Sequence, residues 1–196
     1  PRGKGVADDP EGAYDLGQGA GFYINATQEP WSSHYQMETF VVEELPTLLT
    51  DIEGLDLYRL SIAGHSMGGH GAISLALKFP GKYRSISAFS PICAPGTCPW
   101  GKKAFSAYLG TDETLWKQHD SCELIRGGAP QIPLLVDQGA ADPFLEEQLQ
   151  TQRLVAACEA VSFPLTYREH TEYDHSYFFI ASFIDDHLRF HAKFLT

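Results

Sequence analysis

The stretch Arg59-Leu60-Ser61-Ile62-Ala63-Gly64-His65-Ser66-Met67-Gly68-Gly69-His70-Gly71 decides the fold of this 196-residue chain. Its apolar first half is typical of a β-strand, whereas Met67–Phe79 is rich in small residues, as a closely packed helix requires. Between them, Gly64–Gly68 has the pattern G-x-S-x-G, which presents a serine hydroxyl at the top of a sheet when a strand enters it and a helix leaves it. We therefore expect a strained backbone at Ser66, and glycines 64 and 68 that let strand and helix approach closely.

Strand and helix patterns alternate along the rest of the chain. We predict strands at Ser85–Ser90, Ile132–Val136 and Phe163–Glu169. Longer helices are predicted at His34–Ile52 (bent by Pro46), Leu145–Ala160 and Ser176–Leu195, with shorter helical pieces around Phe105 and Leu115. Loops are predicted at Pro1–Gly21 and Pro91–Trp100. This alternation indicates an α/β fold, a single domain over residues 1–196 whose parallel sheet is covered by helices on both faces.

The composition excludes several classes of protein. Fourteen Lys and Arg against 25 Asp and Glu give a net charge of −11, so the chain lacks the basic surface of a nucleic-acid binder or of a protein adsorbed on anionic lipid. No apolar run is long enough to span a bilayer. Four cysteines are too few for a disulfide scaffold. We expect a cytoplasmic enzyme-sized domain.

A nucleophilic serine needs a histidine base and an acid that orients it, and in this kind of sheet both follow the serine in the order acid, then histidine. The strand Ile132–Val136 ends in Asp137-Gln138-Gly139-Ala140-Ala141-Asp142, which offers two acids. We favour Asp142, because the Gly-Ala-Ala turn lets it reach across the top of the sheet. Asp137 is expected to tie down loop backbone at the strand end.

Two histidines follow the last predicted strand. His170 continues that strand, whereas His175 opens the final helix from a loop that can bend over Ser66. We favour His175 as the base and expect His170 to be structural.

The remaining histidines and cysteines carry weaker signals. His187 and His191 are spaced i, i+4 and could share a metal, but no third ligand has suitable spacing, so we expect a solvated helix face. His65 and His70 flank the serine and are expected to make structural hydrogen bonds. Cys93 and Cys98 lack a second pair for a zinc site, so free thiols near the site entrance are expected.

Several segments together resemble the S-formylglutathione hydrolases, also called esterase D. The resemblance rests on Gly64-His65-Ser66-Met67-Gly68-Gly69-His70-Gly71, Ser90-Pro91-Ile92-Cys93-Ala94-Pro95, Cys98-Pro99-Trp100-Gly101, Lys103-Ala104-Phe105, Asp137-Gln138-Gly139 with Asp142 and Phe144-Leu145, Tyr173-Asp174-His175-Ser176-Tyr177, Gly19-Ala20-Gly21-Phe22-Tyr23, Asn25-Ala26-Thr27 and Pro30-Trp31. The match runs from Pro1 to the last helix.

This resemblance implies an α/β-hydrolase that cleaves the thioester S-formylglutathione to formate and glutathione, with side activity on short acyl esters, a cytoplasmic location and no cofactor. It implies the triad Ser66, Asp142 and His175. In the resulting mechanism the Met67 backbone N–H stabilises the oxyanion together with a second N–H from a loop outside this chain. Trp100 is our candidate for the wall of the acyl pocket. The partner that the resemblance implies is a small-molecule substrate, S-formylglutathione. Whether the protein also forms a homodimer is an open alternative.

The chain departs from the family pattern in two ways. Glu172 replaces a glycine that family members usually carry before the base. The chain also begins after the family's fourth strand, so its N-terminal strands and oxyanion loop are missing here. Because the strand through Leu60 and Ile62 is apolar on both faces, an unpaired edge there would invite aggregation, and we expect the chain not to fold stably alone. A cooperative thermal melt of the 196-residue monomer would contradict this expectation.

Two rival functions belong to other classes. An acyltransferase of similar fold would pass the acyl group to a sugar, and added acceptor alcohols would reveal it. A non-catalytic α/β-hydrolase-like binding protein would have no need of a nucleophile, an acid and a base in this order.

Overall fold

Four parallel strands form the sheet that the alternating pattern predicts. In the computed structural model, which describes residues 5–196, they are β1 (Leu60–His65), β2 (Tyr83–Phe89), β3 (Leu134–Gly139) and β4 (Leu165–His170). They are hydrogen-bonded in the order β1-β2-β3-β4, each parallel to its neighbour. The predicted strands at these places are confirmed. Residues 1–4 of the predicted N-terminal loop lie outside the described residues.

The helices lie before, between and after the strands, as predicted in outline. They are α1 (Met37–Thr39), α2 (Leu45–Leu49), α3 (Met67–Lys78), α4 (Pro99–Leu109), α5 (Glu113–Trp116), α6 (Ser121–Arg126), α7 (Thr151–Ala160) and α8 (Tyr177–Ala192). Short 3₁₀ turns lie at Gly17–Gly19 and Lys117–His119, and π-helical turns at Phe40–Glu44 and Leu145–Leu149.

Three predicted segments need correction. The helix predicted over residues 34–52 runs from α1 to α2 through the π turn Phe40–Glu44, which widens the helix just before Pro46, the residue that cannot donate a backbone hydrogen bond. The helix predicted over residues 145–160 is interrupted at Gln150, whose φ is +52°. The loop predicted to reach Trp100 ends at Cys98, whose Sγ accepts the Gly101 N–H and so caps α4.

Helices cover both faces of the sheet because β2 divides its side chains between them. Ile86 and Ala88 pack in the same apolar core as α3. Ser85, Ser87 and Phe89, which alternate with them, contact α8. Since successive side chains of a strand point to opposite faces, α3 and α8 lie on opposite sides of the sheet. The α/β prediction is therefore confirmed.

A second apolar cluster joins the N-terminal segment to α4. Its buried aromatic members are Phe22, Trp31, Tyr35, Phe105, Tyr108 and Trp116. The hydroxyl of Tyr108 donates to the Ala20 carbonyl at 3.0 Å and accepts the Gly17 N–H at 2.9 Å. This cluster fixes the N-terminal segment against α4 and so shapes one wall of the site described below.

Strand β1 lies at the edge of the sheet, since among residues 5–196 only β2 pairs with it. Leu60 and Ile62 on this strand are half-buried. The expectation that the chain does not fold stably alone stays a prediction.

Candidate active site

Ser66 lies in the turn that joins β1 to α3. Its backbone has φ +57° and ψ −119°, a strained conformation for a residue with a side chain. The turn is tight: a Cβ on Gly64 would lie 2.1 Å from the Gly68 carbonyl oxygen, so only glycine fits at position 64. The Ser66 N–H donates to the Phe89 carbonyl at 2.9 Å, which anchors the turn to the end of β2.

Met67 begins α3, so its backbone N–H has no acceptor within the helix. The first N–H groups of a helix carry partial positive charge and favour a developing anion beside them. The Met67 amide is therefore the candidate donor to an oxyanion formed at Ser66.

Asp142 and His175 are hydrogen-bonded, with 2.6 Å between Asp142 Oδ2 and His175 Nδ1. The other carboxylate oxygen of Asp142 accepts the Phe144 N–H at 2.9 Å. Burial alone would raise the pKa of Asp142, but the bonds from His175 and from the Phe144 amide outweigh it, so the pKa lies below its usual range. The Asp142 carboxylate is thus charged beside the imidazole at neutral pH.

The loop that carries His175 packs tightly on the end of β3. A Cβ on Gly139 would lie 2.3 Å from the Tyr173 carbonyl oxygen, and the Ala141 N–H donates to that same carbonyl at 2.9 Å. Glu172 in this loop has φ +69°, a left-handed conformation that glycine adopts without strain. The Glu172 side chain is exposed, and the loop still brings His175 to Asp142.

Asp137, the alternative acid, lies in a different environment. Its fully buried carboxylate receives two bonds of 2.6 Å from Arg168, and Nε2 of His170 and of His187 each lie 3.3 Å away. Burial raises the pKa of Asp137, but the contacts with His187 and Arg168 outweigh this and lower it. The expectation that Asp137 ties down loop backbone is wrong, because both of its carboxylate oxygens accept from the Arg168 side chain instead.

The histidines of α8 also correct a prediction. His187 and His191 are 1% and 8% exposed, so they do not form a solvated helix face. His191 bonds to Ser85 and Ser87 at 2.8 Å each, and the His187 ring stacks on Phe89 with 3.7 Å between centroids. The i, i+4 spacing marks the side of α8 that packs on the sheet, and the polar strand residues Ser85 and Ser87 were the signal for buried hydrogen-bonding partners.

The two histidines that flank the serine turn differ from each other. His70 is buried and bonds to the Phe22 carbonyl at 3.1 Å, as expected, and burial lowers its pKa to about 4. Nε2 of His65 is buried without a hydrogen-bond partner among residues 5–196, so the bond expected there is not seen at this atom. The His65 ring instead packs on that of His175, with 4.4 Å between centroids.

The cysteines are free but do not line the entrance. Cys93 and Cys98 are both fully buried, which corrects the expected position near the site mouth. Among residues 5–196, no group of three or more His, Cys, Asp and Glu side chains is placed to hold a metal ion. In the same part of the chain, no helix is long and apolar enough to cross a membrane.

A cavity of about 280 Å³ brings Ser66, Met67 and His175 to one surface. Its remaining lining residues are Tyr14, Asp15, Gly19, Ala20, Phe22, Ile92, Trp100 and Phe144. The Trp100 ring packs against Phe144 at 4.9 Å between centroids and against Tyr14 at 6.0 Å. Phe144 and Tyr14 were not singled out from the sequence; an aromatic residue two places after Asp142, in a loop of small residues, was the available signal for Phe144.

Comparison with known proteins identifies the family of this chain. The family model described as "Putative esterase" matches residues 1–190. The S-formylglutathione hydrolases of Rattus norvegicus and Mus musculus are 51% and 52% identical to the chain over 198 residues, an overlap that takes in 100% of this chain and 70% of each relative. The chain belongs to the S-formylglutathione hydrolase family.

Solved structures agree with this assignment. An S-formylglutathione hydrolase from Agrobacterium tumefaciens superposes with a TM-score of 0.96 at 48% identity, over 100% of this chain and 70% of that one. MPT51 of Mycobacterium tuberculosis, at 17% identity and a TM-score of 0.73, covers 92% of this chain and shows a shared fold only. The family fold is the α/β-hydrolase fold that the serine turn predicted.

Proposed function

We propose that this chain is a serine hydrolase that cleaves S-formylglutathione to formate and glutathione, the second step of glutathione-dependent formaldehyde disposal, with side carboxylesterase activity on short acyl esters. The observation that carries the proposal is the 2.6 Å bond between Asp142 and His175 at a cavity that Ser66 also lines. The identity of about half of the chain to S-formylglutathione hydrolases supports the choice of substrate.

In the proposed mechanism Ser66 Oγ attacks the formyl carbon while His175 takes the hydroxyl proton and Asp142 stabilises the resulting imidazolium. The Met67 N–H donates to the oxyanion of the tetrahedral intermediate. The carbon–sulfur bond then breaks, and glutathione leaves with the proton from His175. Water then gives a proton to the same imidazole and attacks the formyl ester on Ser66. The bond between Ser66 Oγ and the formyl carbon breaks, Oγ takes the proton back from His175, and formate is released.

We propose Trp100 as a wall of the acyl pocket, on the basis of its place in the cavity beside Phe144. We infer that this cavity of about 280 Å³ favours formyl and acetyl groups over long acyl chains. Tyr14 and Asp15 also line this cavity, and Asp15 forms an ion pair with Lys103 at 2.6 Å. We propose that the acyl group binds on the side lined by Trp100 and Phe144.

A cytoplasmic location is part of the proposal, because all four cysteines are free, as is usual in a reducing compartment. We propose no cofactor, nucleic acid or membrane partner. Whether the protein forms a homodimer is tested by measuring its mass in solution by size-exclusion chromatography.

The test compares the chain with Ser66→Ala, and with Ser74→Ala as the matched control on α3. Every assay is repeated with the N-terminal segment of an S-formylglutathione hydrolase placed before the chain, because we expect the chain not to fold stably alone. Glutathione release from S-formylglutathione is followed beside hydrolysis of p-nitrophenyl acetate, and a fluorophosphonate probe counts the reactive serines. We expect Ser66→Ala to lose both activities and the label, and Ser74→Ala to keep all three. Ester hydrolysis without thioester hydrolysis would overturn the substrate, and labelling of Ser66→Ala equal to that of the wild type would overturn the nucleophile. Transfer to added alcohols in preference to water would favour an acyltransferase.

A further inference from the structure

Gln138 is a buried side chain that sits directly behind the Asp142 carboxylate. It follows Asp137 on β3 and has no exposed surface. Its amide has four hydrogen-bonding partners: the two hydrogens of Nε2 are shared among the Gly139 carbonyl at 3.0 Å, Ser90 Oγ at 3.3 Å and Asp142 Oδ2 at 3.4 Å, and Oε1 accepts from the Thr151 hydroxyl at 2.8 Å.

The orientation of this amide is fixed by its surroundings. The Gly139 carbonyl can only accept, so it requires the nitrogen of Gln138 on its side. That nitrogen is therefore the atom that faces Asp142 Oδ2, the same oxygen that accepts His175 Nδ1. A buried amide with its groups satisfied is rigid, because breaking its bonds without replacement is costly.

The bonds of Gln138 connect four separate elements at the top of the sheet. Ser90 lies just after β2 with a positive φ of 41°, Thr151 begins α7, and Asp142 lies in the loop after β3. A single side chain thus ties the loop of Asp142 to the ends of β2 and β3 and to the start of α7.

We propose that Gln138 is a positioning residue that holds the Asp142 carboxylate in the plane of the His175 imidazole. This inference rests on the proposed function, since it assigns a role beside the acid of that reaction. Gln138 acts through Asp142 and does not contact the cavity. The titratable groups that face the Asp142–His175 pair are His65, at the end of β1, and Asp174, in the loop of His175.

Two substitutions separate positioning from simple packing. Gln138→Met keeps most of the volume and removes the donor, and we expect kcat to fall about tenfold with KM changed less than twofold, the size of effect seen when second-layer partners of reacting groups are removed. Gln138→Glu keeps the shape but places a second acid beside Asp142, and in this buried site the two acids share one proton. Because the negative charge beside His175 is then weakened, the acid limb of the kcat/KM profile should move to lower pH.

Gln148→Glu is the matched control, since it makes the same substitution at another buried glutamine. The side-chain oxygen of Gln148 accepts a hydrogen bond from the Trp100 backbone N–H. Its pH profile should keep the wild-type midpoint. Rates are measured with p-nitrophenyl acetate and divided by the number of serines that the fluorophosphonate labels, so unfolded molecules do not count. Failure of the proposed function would show in the wild type as absence of glutathione release, whereas failure of this inference would show only in the variants.

Wild-type kcat in Gln138→Met together with an unmoved midpoint in Gln138→Glu would reduce Gln138 to a packing residue. If neither variant gives labelled protein, Thr151→Val provides the measurement, because it removes only the hydroxyl that fixes Oε1. A several-fold lower kcat per labelled serine supports the proposal in that case, and an unchanged kcat overturns it.

Discussion

The two acids at the end of β3 allow a direct test of the proposed mechanism, in which Asp142→Asn is compared with Asp137→Asn. Both substitutions replace a buried carboxylate by an amide of the same shape. Asp142 bonds to His175, whereas Asp137 bonds to Arg168 on β4, and neither Asp137 nor Arg168 lines the cavity. The proposal therefore predicts very different kinetic effects from the same chemical change.

The expected loss in Asp142→Asn follows from the charge pair that it removes. When His175 becomes an imidazolium in the transition state, opposite charges about 4 Å apart interact by about 4 kcal/mol at an effective dielectric constant of about 20. Since about 1.4 kcal/mol corresponds to a tenfold change in rate, kcat/KM should fall about 10³-fold. An asparagine also offers His175 Nδ1 a donor in place of an acceptor, which favours the wrong tautomer.

Asp137→Asn should leave kcat/KM per labelled serine within about threefold of the wild type. Its effect falls on stability, because Asp137 is the buried partner of Arg168, which keeps only its exposed partner Asp186, and the loss should cost about 1–3 kcal/mol. The assay is p-nitrophenyl acetate hydrolysis with titration of labelled serines, repeated with S-formylglutathione. Less than a tenfold loss in Asp142→Asn, or an equal loss per labelled serine in Asp137→Asn, would refute the assignment of the acid.

Three further predictions concern the turn, the pocket and acid pH. Gly64→Ala should abolish serine labelling, because its Cβ would lie 2.1 Å from the Gly68 carbonyl oxygen; normal labelling would contradict the tight turn. Trp100→Ala should raise the ratio of kcat/KM for p-nitrophenyl butyrate over acetate about tenfold, and an unchanged ratio would remove Trp100 from the acyl wall. Burial holds the pKa of His70 at about 4, against 6.5 in the unfolded chain. Only the unfolded chain gains this proton as the pH falls below 6.5, so the folded state loses about 3 kcal/mol by pH 4. Labelling after incubation at decreasing pH should fall less steeply in His70→Gln, and equal profiles would exclude His70 as the cause.

The sequence predicted the parts of the fold that depend on local pattern. The strand–serine–helix unit at β1 and α3 was readable because apolar periodicity, glycine spacing and the chain order of acid and histidine agree with one another. Helix α6 was missed although Asp120 accepts the amides of Cys122 and Glu123, an N-cap pattern that the sequence displays. The break at Gln150 gave no signal, because glutamine seldom adopts a left-handed backbone.

What the sequence could not give was the surroundings of buried polar groups. The i, i+4 spacing of His187 and His191 fits an exposed pair as well as a buried pair. The pair is identified as buried only by the serines of β2 that hydrogen-bond to His191 where α8 packs on the sheet. Asp137 and Asp142 are five positions apart with the same side chain, so their different partners depend on where β4 and the loop of His175 fall. These long-range contacts are set by tertiary packing and not by local pattern.

The burial of all four thiols has a consequence for the proposed reaction, whose product is itself a thiol. Burial raises the pKa of Cys93, Cys98 and Cys122, and that of Cys158 to about 11, so none of them is a thiolate at neutral pH. Exchange with oxidised glutathione requires a thiolate that can reach solvent. The cysteines of this chain should therefore not form mixed disulfides with oxidised glutathione, even where oxidised glutathione accumulates around the protein.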